Sequence, residues 1–347
     1  MSRLKISTSF SLYVLLLMGL SLISILGAIY LGPLSIPWSK VSSCLWHVGV
    51  QDSVAPRELC DPNLSLIIWH LRMPRAILAF LVGSSLALSG AVFQGLLQNH
   101  LADPFTIGVS TGSAFGASLA IFFGLTSLFG PVTLPIFALC GAGLALTIVL
   151  GLGYRGGKLS KESLVLAGIV VATFLSALIS LLKSLDEESV AGIVFWIMGS
   201  FQGRSWEHVS IFLPYYIPAC LIILFWAREL DILSLGDIHA KTLGLNPNRV
   251  RLFLLAGASL LTGAAVSVSG VIGFVGLIIP HLIRLSIGSN HKKLLPLSAL
   301  LGGNLMIWAD ILARTILSGG EELPVGVLTA LLGGPFFCLL LVKKFKA

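Results

Sequence analysis

Residues 252–283, LFLLAGASLLTGAAVSVSGVIGFVGLIIPHLI, run for 32 positions without an Asp, Glu, Lys or Arg. Crossing roughly 30 Å of hydrocarbon takes about 20 apolar residues in a helix, so this stretch is too long for one comfortable span. The turn chemistry of Ser269-Gly270-Val271-Ile272-Gly273 predicts a helix, a break and a shorter second helix. Working outward, charge-free stretches at 6–39, 76–102, 163–182, 208–227 and 323–342 each suit one helix. Residues 104–154 hold two, broken near Gly130-Pro131, and 294–309 make a last span if Asp310 and Arg314 continue it. The expectation is ten transmembrane helices in an all-α, polytopic protein, with residues 1–347 forming a single membrane domain.

The composition agrees. Of the residues, 56% are hydrophobic and only 11% charged, with a mean hydropathy of +0.98. Soluble domains carry about 25% charged residues, so an ordinary cytosolic enzyme and a disordered chain are both excluded. The formal net charge of +7 would point to nucleic acid in a soluble chain. Here it reads as topology, and no nucleic-acid partner is expected. With a cytoplasmic amino terminus, 15 of the 22 Lys and Arg fall inside, as the positive-inside tendency requires. Ten spans then put both termini in the cytoplasm. The first segment imitates a signal peptide but is too long, and Gly27-Ala28-Ile29-Tyr30 offers no A-x-A site. It is expected to remain as the first helix.

On this topology residues 33–71 form an outside segment. Cys44 and Cys60 both fall in it, so an oxidising periplasm would allow a disulfide there. Cys140, Cys220 and Cys338 lie in apolar spans, where a small buried side chain is the plain reading. The run Val190 to Phe201 is too short to span and reads as a helix at the outer interface. On the inside, Arg228 to Arg251 (RELDILSLGDIHAKTLGLNPNRVR) predicts two short amphipathic helices, with Gly236 and Gly244 ending them and Asp237 as an N-cap. Such a segment is either a linker on headgroups or a dock for a partner protein. Ser89-Gly90-Ala91-Val92 is faintly echoed by Ser269-Gly270-Val271-Ile272, which is too short to establish an internal repeat.

Several motifs imitate chemistry. Gly151-Leu152-Gly153-Tyr154-Arg155-Gly156 matches the dinucleotide fingerprint but follows a membrane span where that fingerprint needs a strand. Gly108-Val109-Ser110-Thr111-Gly112 matches a serine nucleophile elbow, again without a strand. Gly108, Gly112 and Gly116 read better as small-xxx-small steps for helix packing in lipid. The histidines offer no H-E-x-x-H and the cysteines no C-x-x-C, so no metal site and no catalytic residue is assigned. A P-loop is absent. Ionisable groups are scarce at span centres: Asp103, His281, Arg284, Asp310 and Arg314 cluster near span ends, which is a poor relay for a proton-driven carrier. Asp310 and Arg314, at i and i+4, suit an ion pair.

Together, several segments resemble the permease family of bacterial ABC importers for iron-siderophore complexes, haem and cobalamin, the type II importers. They are LRMPR at 71–75, SGAVFQGLLQNHLADPFTIGVSTGSAFGA from Ser89, LVLAG at 164–168, FWIMGSF at 195–201, LSLGDIHAKTLGLN at 233–246, GVIGFVGLIIPHLIR at 270–284, WADILARTI at 308–316 and ELPVGVLTALLGGPFF at 322–337. In order, they cover about three quarters of the chain. His100 stands where the family usually has proline, and His239 where it usually has an acid.

The resemblance implies the type II importer permease fold, a dimer with the pathway at its axis, two cytoplasmic ATPase subunits that carry ATP and Mg, and a periplasmic binding protein. No cofactor is expected on this chain. By resemblance, Leu235, Gly236, Asp237, His239, Ala240, Leu243 and Gly244 belong to the coupling helices within 228–251. The fifth helix lines the pathway, and Asn99, His100, Lys161 and Glu162 fall at the inner gate, where a charged pair departs from the family's small polar residues. Arg72, Arg75 and Arg314 would receive acidic residues of the binding protein. Against ATP-driven import of a bulky metal chelate stand a proton-coupled carrier, disfavoured by the missing relay, and an intramembrane hydrolase using Ser110, disfavoured by the missing base.

Overall fold

A computed structural model describes residues 2–34, 36–49, 61–127, 130–155, 158–317 and 320–346. The helices are α1 (Ser2–Tyr30), α2 (Trp38–Gly49), α3 (Pro62–Leu66), α4 (Met73–Leu97), α5 (Val109–Phe122), α6 (Thr133–Gly153), α7 (Lys161–Leu185) and α8 (Glu187–Ile197). They continue as α9 (Trp206–Phe225), α10 (Ala227–Ser234), α11 (Asp237–Thr242), α12 (Pro247–Ser269), α13 (Val275–Ile287), α14 (His291–Thr315) and α15 (Val325–Lys346). Between α6 and α7 lies a two-stranded antiparallel hairpin, Tyr154–Arg155 with Lys158–Leu159.

Among the described residues seven helices are long and apolar enough to cross a membrane, and three shorter apolar ones, at α5, α13 and the first part of α15, accompany them. The expected breaks are present. Helix α12 stops at Ser269, α13 starts at Val275, and 3-10 turns at Leu125–Ser127 and Gly130–Val132 separate α5 from α6. The starts are written in the sequence as caps: Ser160 accepts from Ser163 N before α7, Asn246 from Arg249 N before α12, and Asn290 from Lys292 N before α14.

Helix α4 is the axis of the molecule and packs against α14, α12 and α13. It is apolar all round, and a helix of that kind belongs inside a bundle; from Val82 to Leu97 every residue is buried. Close approach comes from glycine pairs. A Cβ on Gly90 would collide with the Gly276 backbone of α13, and one on Gly83 with the Gly302 carbonyl of α14. Of the three glycines expected to pack α5, Gly112 and Gly116 do meet α6 at Gly141 and Phe137. Gly108 is different: it precedes the helix with φ 79°, a left-handed turn, and abuts Gly168 of α7.

Two further expectations need correction. Asp237 is not the N-cap of α11; Gly236, with φ 107°, holds that position, and the Asp237 carboxylate goes to Arg251. Within the coupling segment, Ala240 is fully buried and so is packing, not contact surface. Cys44 is buried with Ile29, Ile36 and Ile68 in a small separate cluster, and its suggested partner Cys60 lies outside the described residues.

Candidate functional site

Pro74 lacks an N–H, and the turn before it widens to π geometry over Ile67–Arg72, with Met73 N bonding back to Ile68 O. This local distortion turns Arg72 and Arg75 inward. Arg72, only 5% exposed, donates to the carbonyls of Ile29 (2.7 Å), Tyr30 (2.9 Å) and Leu34 (2.5 Å). Arg75 lies between two carboxylates. Its Nε and NH2 donate to Asp310 at 2.8–3.1 Å, and its NH1 and NH2 to Glu322 at 3.0 and 2.8 Å. The i, i+4 pair expected for Asp310 is also present, but weaker: Arg314 Nε stands 3.6 Å from Asp310 Oδ2, while its NH2 donates to Ala28 O at 2.6 Å.

These three arginines, Arg204 and Glu322 line a cavity of about 340 Å³ at the end of the bundle expected to face outward. Asp310 and Glu322 offset two of the four guanidinium charges, so the cavity keeps a positive excess. Arg204, whose NH1 lies 3.1 Å from His208 Nε2, has a buried Nε without a hydrogen-bond partner. Sequence reasoning missed Arg204 and Glu322 as members of this cluster. The available signal was the arginine in the turn before α9, on the same side as Arg72.

At the opposite end, α4 closes with Gln98 in the left-handed region at φ 48°. Its Nε2 donates to the carbonyls of Leu233 and Ser234 at the end of α10, and its Oε1 accepts from Lys161 Nζ at 2.5 Å. Gln98 thus ties α4, the expected gate and the expected dock together, which no local pattern announced. Asn99 makes an Asx turn, its Oδ1 accepting from Leu101 N at 3.0 Å, and the carboxylate-bearing Glu162 lies exposed in the first turn of α7. His100 is exposed in the same turn as Asn99.

Beside this junction α10 and α11 form a platform. Arg251 donates to both Asp237 oxygens, at 2.5 and 3.0 Å, and to Leu159 O at 3.0 Å. Those hydrogen bonds hold the Asp237 carboxyl below its usual range, with smaller help from Lys161 and Lys241. On the pinned platform Leu235, Ile238 and Leu243 are 65%, 79% and 62% exposed, with His239 and Gly244 exposed between and beyond them. Three large apolar side chains presented together on polar ground are the signature of a surface that meets another protein.

Between the two ends a cavity of about 660 Å³ is walled by the 3-10 turn before α5, the end of α8, the 271–274 break, and α15. Its lining is almost wholly apolar, with Asp103 the one acid. No group of His, Cys, Asp and Glu able to hold a metal occurs among the described residues. The Ser110 hydroxyl has no hydrogen-bond partner, so no base activates it and the hydrolase reading has no support in the geometry.

A polytopic bundle with broken half-length helices, an apolar central cavity and an apolar platform at one end defines a transport subunit, and residues 17–343 match the FecCD transport family. The chain belongs to that family of ABC transporter permeases. It is 41% identical over 326 residues to the uncharacterized ABC transporter permease protein YvrB of Bacillus subtilis strain 168, covering 93% of this chain and 91% of that one. It is also 41% identical over 288 residues to the cobalamin import system permease protein BtuC of Halobacterium salinarum, covering 83% and 76%. A solved inward-facing ABC transporter, assigned to the metal-chelate type, superposes with a TM-score of 0.82 at 35% identity over 95% of this chain and 98% of that one.

Proposed function

We propose that this chain is the permease subunit of an ATP-driven importer that moves an iron chelate such as a siderophore complex or haem, or cobalamin, from the periplasm across the bacterial inner membrane. The whole chain, 1–347, acts as one membrane domain with both termini cytoplasmic. Two copies form the pathway at their axis, since closed two-fold symmetry is the usual solution for homo-oligomers. A periplasmic binding protein docks over the positive outer cavity of Arg72, Arg75 and Arg314, which act on it through the field of the cavity while their own hydrogen bonds stay within the chain. Two ATPase subunits, which carry ATP and Mg, sit on the 228–251 segment through Leu235, Gly236, Asp237, His239, Leu243 and Gly244. Asn99, His100, Lys161 and Glu162 form the inner gate.

The observation that carries this reading is the pinned platform with Leu235, Ile238 and Leu243 exposed. Among the described residues nothing covers it, and Gln98 links it directly to the helix that ends at the gate. The test is co-expression with the ATPase and binding protein encoded beside it, mass spectrometry of the ligand that binding protein retains, and transport of that ligand into proteoliposomes. ATP-dependent uptake by a complex of two permeases and two ATPases is the expected result. Uptake driven by a proton gradient without an ATPase overturns the reading.

A further inference from the structure

A recess of about 260 Å³ adjoins the central cavity, sharing Phe105, Ile197 and Val271 with it. Ser110 and Thr111, at the start of α5, and Ser176, Ser180 and Lys183, in the second half of α7, line it. Positions 176, 180 and 183 are spaced i, i+4, i+7 and so share one helix face. Hydroxyls in membrane helices are usually spent on backbone carbonyls. Ser118 donates to Ala114 O, Ser113 to Ala138 O across the α5–α6 contact, and Ser180 to Ser176 O.

Ser110 breaks that pattern, as Ser259 and Ser298 do elsewhere in the bundle, and of the three it is the one that lines this recess. It is fully buried, and its Oγ has no partner. Leaving a buried hydroxyl unpaired is unfavourable, and such a group calls for an explanation. Lys183 is the second anomaly. Asp186, Glu187 and Glu188 follow it within five positions, yet among the described residues no carboxylate comes within ion-pair distance of it. No acid lines the recess, and Asp103, in the adjoining cavity, favours the α7 side for anything negative.

Hydroxyls and an ammonium without an ion-pair partner, in a recess that no carboxylate lines, make a site for oxygen anions. We propose that this recess is a cargo-contacting subsite that takes a carboxylate or similar oxygen anion on the rim of a metal chelate. It rests on the import reading and narrows it: the cargo is an anionic, oxygen-rich chelate and not a corrin.

The probe is radiolabelled ferric citrate, bound to the permease–ATPase complex in nanodiscs and competed by unlabelled citrate chelate, molybdate and cobalamin. Wild type binds saturably, and cobalamin does not compete. Lys183→Gln weakens binding about tenfold, the loss of one charge-assisted contact. Ser110→Ala weakens it several-fold while leaving the complex monodisperse, because the hydroxyl it removes pairs with nothing. Absent binding by wild type, equal binding by the variants, or competition by cobalamin overturns the proposal. Molybdate competing better than citrate also overturns it, in favour of a small free oxyanion. ATP-driven uptake of the ligand retained by the binding protein is measured in parallel. If that uptake persists while ferric citrate fails to bind, the subsite is wrong and the import reading stands; if uptake itself does not need ATP, the import reading has failed.

Discussion

Arg75→Ala removes five hydrogen bonds at once, three to Asp310 and two to Glu322. The side chain of Asp310 is only 2% exposed, and its remaining cationic neighbour, Arg314, is 3.6 Å away. Glu322, at 12%, is closer to the outer cavity and can regain some water. Breaking a buried pair by deleting one partner costs about 3–5 kcal/mol, because the other charge is left uncompensated. With partial relief at Glu322, about 3 kcal/mol is expected, or roughly a hundredfold in the folding equilibrium. An arginine free to greet an acidic partner would instead contribute only about 0.2–1 kcal/mol through an exposed pair. The two roles therefore separate by magnitude. The assay is the apparent unfolding midpoint in detergent, followed by size exclusion, for Arg75→Ala, Asp310→Asn and the double variant. Arg75→Ala should fall well below wild type, and Asp310→Asn should recover part of the loss in the Arg75→Ala background, since an amide needs no cation. A wild-type midpoint for Arg75→Ala, with no rescue by Asp310→Asn, would refute the buried-network account.

Leu243→Asp places a charge on a surface that is already 62% exposed, so the permease should reach the membrane at normal levels yet fail to co-purify with its ATPase. Gln98→Ala removes the bonds to Leu233, Ser234 and Lys161 and should leave ATPase binding in place while lowering the ratio of transport to ATP hydrolysis in proteoliposomes. Gly90→Ala drives a methyl into the Gly276 backbone; overpacking of this kind costs about 1–3 kcal/mol and should appear as reduced membrane abundance, with Gly143→Ala, which faces open space, as the neutral control. Arg251→Ala frees the Asp237 carboxylate and should make α11 sensitive to protease in inside-out vesicles, without changing the outer face.

The membrane helices and both breaks are legible in the sequence because each depends on local facts: the length of an apolar run, a glycine-rich turn, a capping serine or asparagine. The outer cluster shows where locality ends. From sequence, Asp310 has an obvious partner four residues on, but its principal partner is Arg75, 235 residues away, and Arg75 is also held by Glu322, which lies 247 residues from that arginine. Gly90 belongs to a stretch that echoes 269–272, yet it packs against Gly276, which no similarity between the two stretches would suggest. Asp237 satisfied every rule for an N-cap and lost that position because Arg251, 14 residues later, offered it a charged partner. Gln98 carried no signal at all, since its role depends on three elements meeting at the end of α4.

The break at 270–274 also decides what kind of surface a passing molecule meets. Peptide groups outside a helix are tolerated at membrane depth only where protein covers them or where they line a cavity, and Val271, Gly273 and Phe274 line the central one. That wall is almost wholly apolar, with Asp103 its one acid, so the broken helix brings main chain to the cavity and adds no further ionisable side chain. Side-chain replacement can then alter the width of such a wall far more easily than its chemistry. Cargo range in this protein should consequently drift through bulk at positions such as Phe274 and Leu331, while the peptide wall stays the same.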